Sequence, residues 1–332
     1  MAQMLAWSNV TQSVMIPKPV LTEDNLTDQA GKVHIVTGGY AGIGKELVDI
    51  LYQHNATVYV AGRSQDKATA AIDAIKARHP SSKGRLEFLS IDLSDLTTIK
   101  QAVQQFTSKE SRLDVLVNNA GVMNPPRGSK GKQGHELQLV TNCLGPFLFT
   151  KGLLPLLKKT AASSPPASVR VLWASSLGTN VLSPTGGVNL GTDGAPVEAY
   201  FQLTNYGQSK AANNLYAAEF HRRYGGDGIL NVAFNPGNLD SELSRYMNFP
   251  MRTLLKVLCY TSRDGAYTEL YSGWSPELKM EHGGMFVIPW GRDGNKSLRG
   301  DIRKAIEASR TDETSSVRQF WEWSEKETSQ YA

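Results

Sequence analysis

From residue 31 the chain alternates short runs of apolar, largely β-branched residues with longer stretches in which apolar positions recur every third or fourth residue. The runs are VHIVT (33–37), TVYVA (57–61), RLEFLSI (85–91), RLDVLVN (112–118) and VRVLWAS (169–175). Between them lie KELVDILYQH, DKATAAIDAIKARH, LTTIKQAVQQF and a long region near 134–159. The first kind of segment reads as strand and the second as amphipathic helix. The strands are near-continuously apolar, as strands covered on both faces are, and each is followed by a crossover helix. The expectation is an α/β fold with a doubly wound parallel sheet.

Further along, TNVLSPTGGVNLGTDGAP (179–196) is a break rich in Gly, Pro and Asn, of a length that is usually either functional or mobile. A helix is expected over 199–225, closed by the pair Gly225 and Gly226, then a sixth strand at 229–237 and a weaker seventh at 283–291. Two short helices are expected between these strands, with aromatic and Met residues at 246–251 and 267–274. Residues 1–30 read as an N-terminal surface extension, 31–290 as one domain, and 291–332 as a polar C-terminal helix and tail. No internal repeat marks a second domain.

Composition narrows the class. In 332 residues, 35 Lys and Arg stand against 31 Asp and Glu with both signs interspersed, so no basic stripe points to nucleic acid. Cys143 and Cys259 are the only cysteines, in no metal-ligand spacing, and fit a reducing compartment. No metal site is expected. The opening residues lack a basic segment followed by an apolar one. No transmembrane segment is expected either, because no run reaches the ~18 consecutive apolar residues of a bilayer span. The chain therefore reads as cytoplasmic.

Candidate chemistry begins at the turn after the first strand, Thr37 to Gly44 (TGGYAGIG). Gly38, Gly42 and Gly44, with Ile43 between the last two, sit where a strand turns into a helix. There the backbone can approach a pyrophosphate and the helix N-terminus offers free N–H groups. About 20 residues on, the end of the second strand discriminates cofactors: an acid there binds a ribose 2′-hydroxyl, an arginine a 2′-phosphate. The chain has Arg63, then Ser64 and Lys67, which favours NADP(H) over NAD(H). Asp66 is the acid nearest to that position.

Tyr206 and Lys210 (YGQSK) are four residues apart in an expected helix, so both side chains leave one face. A phenol with reference pKa near 10 is a poor proton donor at neutral pH, and an adjacent ammonium is expected to lower it. Ser175 and Ser176 end the fifth strand at the sheet's carboxyl edge, where a hydroxyl can stabilise a developing oxyanion. No His or acid is spaced to activate either as a nucleophile.

Together, TGGYAGIG (37–44), NNAG (118–121), NCLGPF (142–147), SS (175–176), YGQSK (206–210) and NPG (235–237) resemble the short-chain dehydrogenase/reductase family over about residues 31–290. The resemblance implies a Rossmann-type sheet of about seven strands, a nicotinamide cofactor and four catalytic residues: Asn142, Ser176, Tyr206 and Lys210, with Ser175 the alternative serine. It places Asp92 at the adenine, Asn119 on the adenosine half, Tyr206 and Lys210 at the cofactor as well, with Lys210 on the nicotinamide ribose, and Pro236, Gly237, Leu239 and Ser241 beside the carboxamide. Within the family, the tail and the long break are similar to retinol-dehydrogenase-like and fungal light-induced alcohol-dehydrogenase-like proteins. That branch implies a lipophilic ketone, aldehyde or alcohol as substrate, a role in secondary metabolism, and leaves room for a homo-oligomer. The extended branch that includes sugar epimerases is less similar. The alternative reading is a non-catalytic NADP(H)-sensing regulator or scaffold on the same fold.

Overall fold

A computed structural model describes residues 7–13, 16–239 and 259–332. Its frame consists of eight strands: β1 (Val33–Thr37), β2 (Thr57–Gly62), β3 (Arg85–Ser90), β4 (Val115–Asn118), β5 (Val169–Ala174), β6 (Ile229–Phe234), β7 (Phe286–Ile288) and β8 (Arg292–Asp293). They form one sheet in the order β3-β2-β1-β4-β5-β6-β7-β8. Every pairing is parallel except the last, where β8 turns back on β7. Val36 is level with Val60 and with Val117, so β-branched rows cross the sheet. All residues of β1, β4, β5 and β6 are buried, which is why these strands carry no polar alternation.

The helices α1 (Gly42–Gln53), α2 (Gln65–Arg78), α3 (Thr97–Thr107), α4 (Gly145–Ala162), α5 (Gln202–Tyr224) and α6 (Ser262–Trp274) cover both faces. One core layer joins the sheet to α3, α4 and α5 through Phe106, Phe147 and Tyr216. The other joins it to α1, α2 and α6 through Leu47, Ile75 and Leu270. Strand order reverses between β1 and β4, so a crevice opens above their carboxyl ends. Asp114 fixes the opposite rim: its carboxylate accepts from Val33 N at 3.0 Å and from Lys32 and Arg112.

The architecture expected from the pattern is present, with β8 as an added antiparallel edge. The flanking segments are less peripheral than their composition suggested. Leu21 and Leu26 are buried in the second layer. Beyond β8, the tail folds into α7 (Gly300–Ala308) and α8 (Ser316–Thr328), and α8 buries Val317, Phe320 and Trp321 in the first layer. The expected short helix at 246–251 lies outside the described residues.

The helical stretch Leu137–Ala162 is long and apolar enough to cross a membrane, yet 72% of its most apolar window is buried inside the fold. Its apolar side chains are covered by the sheet and by α5, as in the core helix of a globular domain.

Candidate active site

The carboxyl ends of β1 and β4 are tied together by short polar contacts. Thr37 Oγ1 donates to Val117 O at 3.2 Å and accepts from Ala120 N at 3.0 Å. Asn119 Nδ2 donates to Thr37 O at 2.8 Å. The glycine turn fits over this knot. Gly38 has φ +68°, and a Cβ on Gly44 would stand 2.6 Å from Asn119 Nδ2. Among the described residues no side chain caps the N-terminus of α1, and its first turn carries no acid. Its leading N–H groups therefore remain available to an anion.

In front of that turn is a cavity of about 320 Å³. Gly38, Gly42, Ile43, Arg63, Asp92 and Asn119 line it. Gly44 lies behind the turn and shapes it. Arg63 is exposed and has no carboxylate partner among the described residues. Asp66 lies in the first turn of α2, away from the cavity wall. Lys67 is exposed and also outside the wall; its N–H contributes to the helix cap by donating to Ser64 Oγ. Leu239 is not part of this cavity: it bridges to Tyr260 and packs against Gly265. Ser241 lies outside the described residues. Asp92 turns one carboxylate oxygen to Ser94, accepting from its N–H at 2.9 Å and its hydroxyl at 2.6 Å.

Tyr206, Ser176, Lys210 and Asn142 converge at the inner end of the same crevice. Ser176 lies close enough to the Tyr206 phenol to act on its ionisation, and it accepts from Gly178 N at 3.1 Å. Ser175 points the other way. Its hydroxyl donates to Lys210 O at 2.9 Å and accepts from Asn214 Nδ2 at 2.6 Å, fully buried beneath α5. Ser175 anchors the helix, whereas Ser176 faces the tyrosine. Lys210 Nζ donates to Ala174 O at 2.9 Å and lies 5.8 Å from the Tyr206 ring centre. Asn142 sits in a π-turn, Val140–Leu144, that leads into α4. It accepts from Val122 N at 2.8 Å and donates to Val122 O and to Ser209 Oγ. A Cβ on Gly121 would lie 3.1 Å from Asn142 Oδ1 and 3.3 Å from Lys210 Nζ. Because Gly121 also lines the cavity, it joins the two parts of the crevice.

A model of the short chain dehydrogenase family matches residues 32–167. A short-chain dehydrogenase/reductase of Phomopsis amygdali is 45% identical over 331 residues, covering 98% of this chain and 97% of that protein. This chain belongs to the short-chain dehydrogenase/reductase family. Among solved structures, an uncharacterised protein of Mycobacterium paratuberculosis is 28% identical with a TM-score of 0.64, over 93% of this chain and 97% of that one. The NADPH-bound carbonyl reductase of chicken fatty liver has a TM-score of 0.56 at 23% identity, over 78% and 96% of the two chains.

Electrostatics in this dehydrogenase/reductase site depart from the sequence reading at one point. The lysine was expected to lower the Tyr206 pKa. In the protein alone burial dominates and holds the phenol above its usual 10, with only the Ser176 hydrogen bond acting downward. The reason is that Lys210 is itself desolvated. Burial brings its pKa down to about 8 against the upward pull of Cys143 and Glu269, and its ammonium is directed at Ala174 O.

Sequence reasoning missed two contributors. Tyr40, in the glycine turn, lies across Gly62, where its ring leaves no room for a Cβ, and lines the cavity beside Arg63. Its only signal was an aromatic in a turn otherwise made of small residues. Glu269 on α6 is fully buried, its carboxyl pushed up to about 8 by desolvation, with both oxygens unpartnered. Nothing in the spacing of the sequence ties a residue of α6 to Lys210.

Proposed function

We propose that this protein interconverts a lipophilic ketone or aldehyde and its alcohol with NADP(H). The observation that carries the reading is the convergence of Ser176, Tyr206 and Lys210 at the end of a glycine-lined crevice. The uncapped α1 N-terminus and the glycine turn fit a pyrophosphate, and Arg63, with no acid at the end of β2, fits a 2′-phosphate. The NADPH in the chicken reductase supports the same choice. A bound nicotinamide supplies or accepts the hydride.

In the reducing direction Ser176 donates to the carbonyl oxygen as negative charge develops there. Tyr206 gives that oxygen its proton, and the Lys210 ammonium stabilises the phenolate left behind. Asn142 fixes the loop at Val122 through its N–H and carbonyl, next to Gly121, which lies beside Lys210. The substrate's apolar body has a platform next to the proton donor: Val197, Tyr200, Phe201 and Leu203 are exposed just before and within the first turn of α5. Arg127 stacks on Tyr200 at 3.9 Å, so the loop that starts at Gly121 reaches this rim.

The deciding experiment follows NADPH and NADH consumption with a panel of lipophilic aldehydes and ketones. Turnover with NADPH is expected. Saturable NADPH binding without turnover on any of them would favour a nucleotide-sensing regulator instead. Arg63→Asp is expected to shift the NADPH/NADH ratio of kcat/KM toward NADH by about 100-fold, the loss of a charge-assisted phosphate contact plus added repulsion. An unchanged ratio would remove Arg63 from the phosphate site.

A pH profile probes the lysine. Lys210 is charged below about 8 and neutral above it in the free protein. Because kcat/KM reports free-enzyme ionisations, carbonyl reduction is expected to decline as pH rises through about 8. Lys210→Arg, which stays charged, is expected to lose that limb even where its rate is low. A limb of the same midpoint in the arginine variant would assign it to another group.

A further inference from the structure

The segment before β1 reads as a surface extension in the sequence, yet its first described turn is held between two loops at the inner end of the crevice. Asn9 and Gln12 are 6% and 1% exposed. The backbone winds through the helical turn Trp7–Val10 and on to Ser13, which donates from its N–H to Val10 O at 2.9 Å and from its hydroxyl to Asn9 O at 3.1 Å. Asn9 and Gln12, three residues apart on that turn, are surface neighbours and each reaches one loop.

Asn9 Oδ1 accepts from Asn180 Nδ2 at 2.9 Å. Asn180 belongs to the short helix Gly178–Val181, where Ser297 O and Arg299 N hold its amide as well. The head of that helix meets the reacting groups: Gly178 N donates to Ser176 Oγ, and a Cβ on Gly178 would stand 3.2 Å from the Tyr206 ring. On the other side, Gln12 Oε1 accepts from Asn235 Nδ2 at 3.2 Å. Asn235 Oδ1 accepts in turn from Gly237 N at 3.1 Å, which closes the turn where Gly237 takes φ +97°. A third contact, Thr11 O accepting from Arg292 Nη2 at 2.9 Å, pins the backbone between the two amides.

We infer that residues 9–12 are a positioning strap for the reaction, tying the serine loop to the Asn235–Gly237 turn, an assignment that rests on the dehydrogenase/reductase reading of Ser176 and Tyr206. Neither Asn9 nor Gln12 lines the cofactor cavity. Each acts through an asparagine whose remaining amide contacts shape one wall of the substrate end. Loss of either bond leaves a buried amide N–H unpaired on that wall, and the single turn between Asn9 and Gln12 passes the disturbance to the other.

The test compares Asn9→Ala and Gln12→Met with the unmodified full-length protein by hydrogen–deuterium exchange and steady-state kinetics. Each change removes one acceptor, and methionine keeps the length of the glutamine. Amides in 177–183 and 235–239 are expected to exchange about tenfold faster in both variants, with the glycine turn at 38–44 unchanged. Each variant thus loosens both walls, including the one its own side chain does not touch. With a carbonyl substrate, kcat/KM is expected to fall about tenfold while the NADPH Kd moves less than about threefold, because misplacing the substrate costs rate before cofactor affinity. Trp323→Ala, in the tail, controls for stability and is expected to leave exchange at both walls as it was. Unchanged exchange, loosening confined to the wall that the altered residue touches, equal loosening in Trp323→Ala, or an unchanged kcat/KM would each overturn the strap. Absence of turnover by the unmodified protein on every carbonyl would remove the catalytic reading instead, and the exchange pattern would still decide whether the two walls are tied.

Discussion

Tyr206→Phe is expected to lower kcat for carbonyl reduction by about 1,000-fold, within the range that a positioned general acid contributes. The change removes one oxygen. The ring stays beside Gly178, where a Cβ would stand 3.2 Å from Tyr206 Cε1. The cofactor crevice is bounded by other residues, so the NADPH dissociation constant is expected to change less than about threefold. This separation of turnover from binding distinguishes a proton donor from a structural tyrosine. Pre-steady-state NADPH oxidation, with fluorescence titration of NADPH alongside, measures both. Turnover within about tenfold of the unmodified protein would move the proton transfer to another group. Ser176→Ala should cause a smaller loss, because the backbone around Gly178 remains to shape the pocket, whereas Ser175→Ala acts on the anchoring of α5 and should show itself in stability first.

How much of this was readable in the chain depends on how local the physics is. Parallel strands buried on both faces have no polar alternation, so the runs at 33–37, 57–61 and 169–175 announced themselves. The glycine turn was legible because φ above zero at Gly38 and close packing at Gly44 demand glycine, and the Tyr206–Lys210 pair because helical geometry alone brings residues four apart together. Ser175 and Ser176 were not separable from the sequence, since neighbouring residues at a strand end point to opposite sides and which side each faces shows only in the contacts to Asn214 and Tyr206. The Tyr206 pKa went the other way from the sequence reading because spacing gives proximity, whereas the result depends on how strongly both groups are desolvated. The tail was read as polar for a related reason. In α8 the buried positions Val317, Phe320, Trp321 and Ser324 follow helical spacing, yet they are interleaved with charged residues that lower the average.

That buried stripe sets the largest expected stability effect. Trp321 is 1% exposed and packs edge-on against Phe147 and Phe220, at 4.9 and 4.5 Å between ring centres. Phe320 stacks on Tyr216 at 4.8 Å, and the Tyr216 hydroxyl shares a 2.6 Å hydrogen bond with Ser324. Three of these partners, Tyr216, Phe220 and the Arg223 that lies over the Trp321 ring, belong to α5, the helix that carries Tyr206 and Lys210. Trp321→Ala is expected to cost about 3–5 kcal/mol, the usual result of emptying a large aromatic site in a core. Trp321→Phe should cost far less, because the indole N–H has no acceptor and its loss leaves no group unsatisfied. Half-buried Trp323, stacked on Phe320 at 6.0 Å, should also be milder, about 1 kcal/mol as alanine. Urea unfolding followed by circular dichroism measures all three. If Trp321→Ala shifted the midpoint no more than Trp323→Ala does, α8 would be a detachable appendage, and α5 would hold its catalytic face without support from the tail.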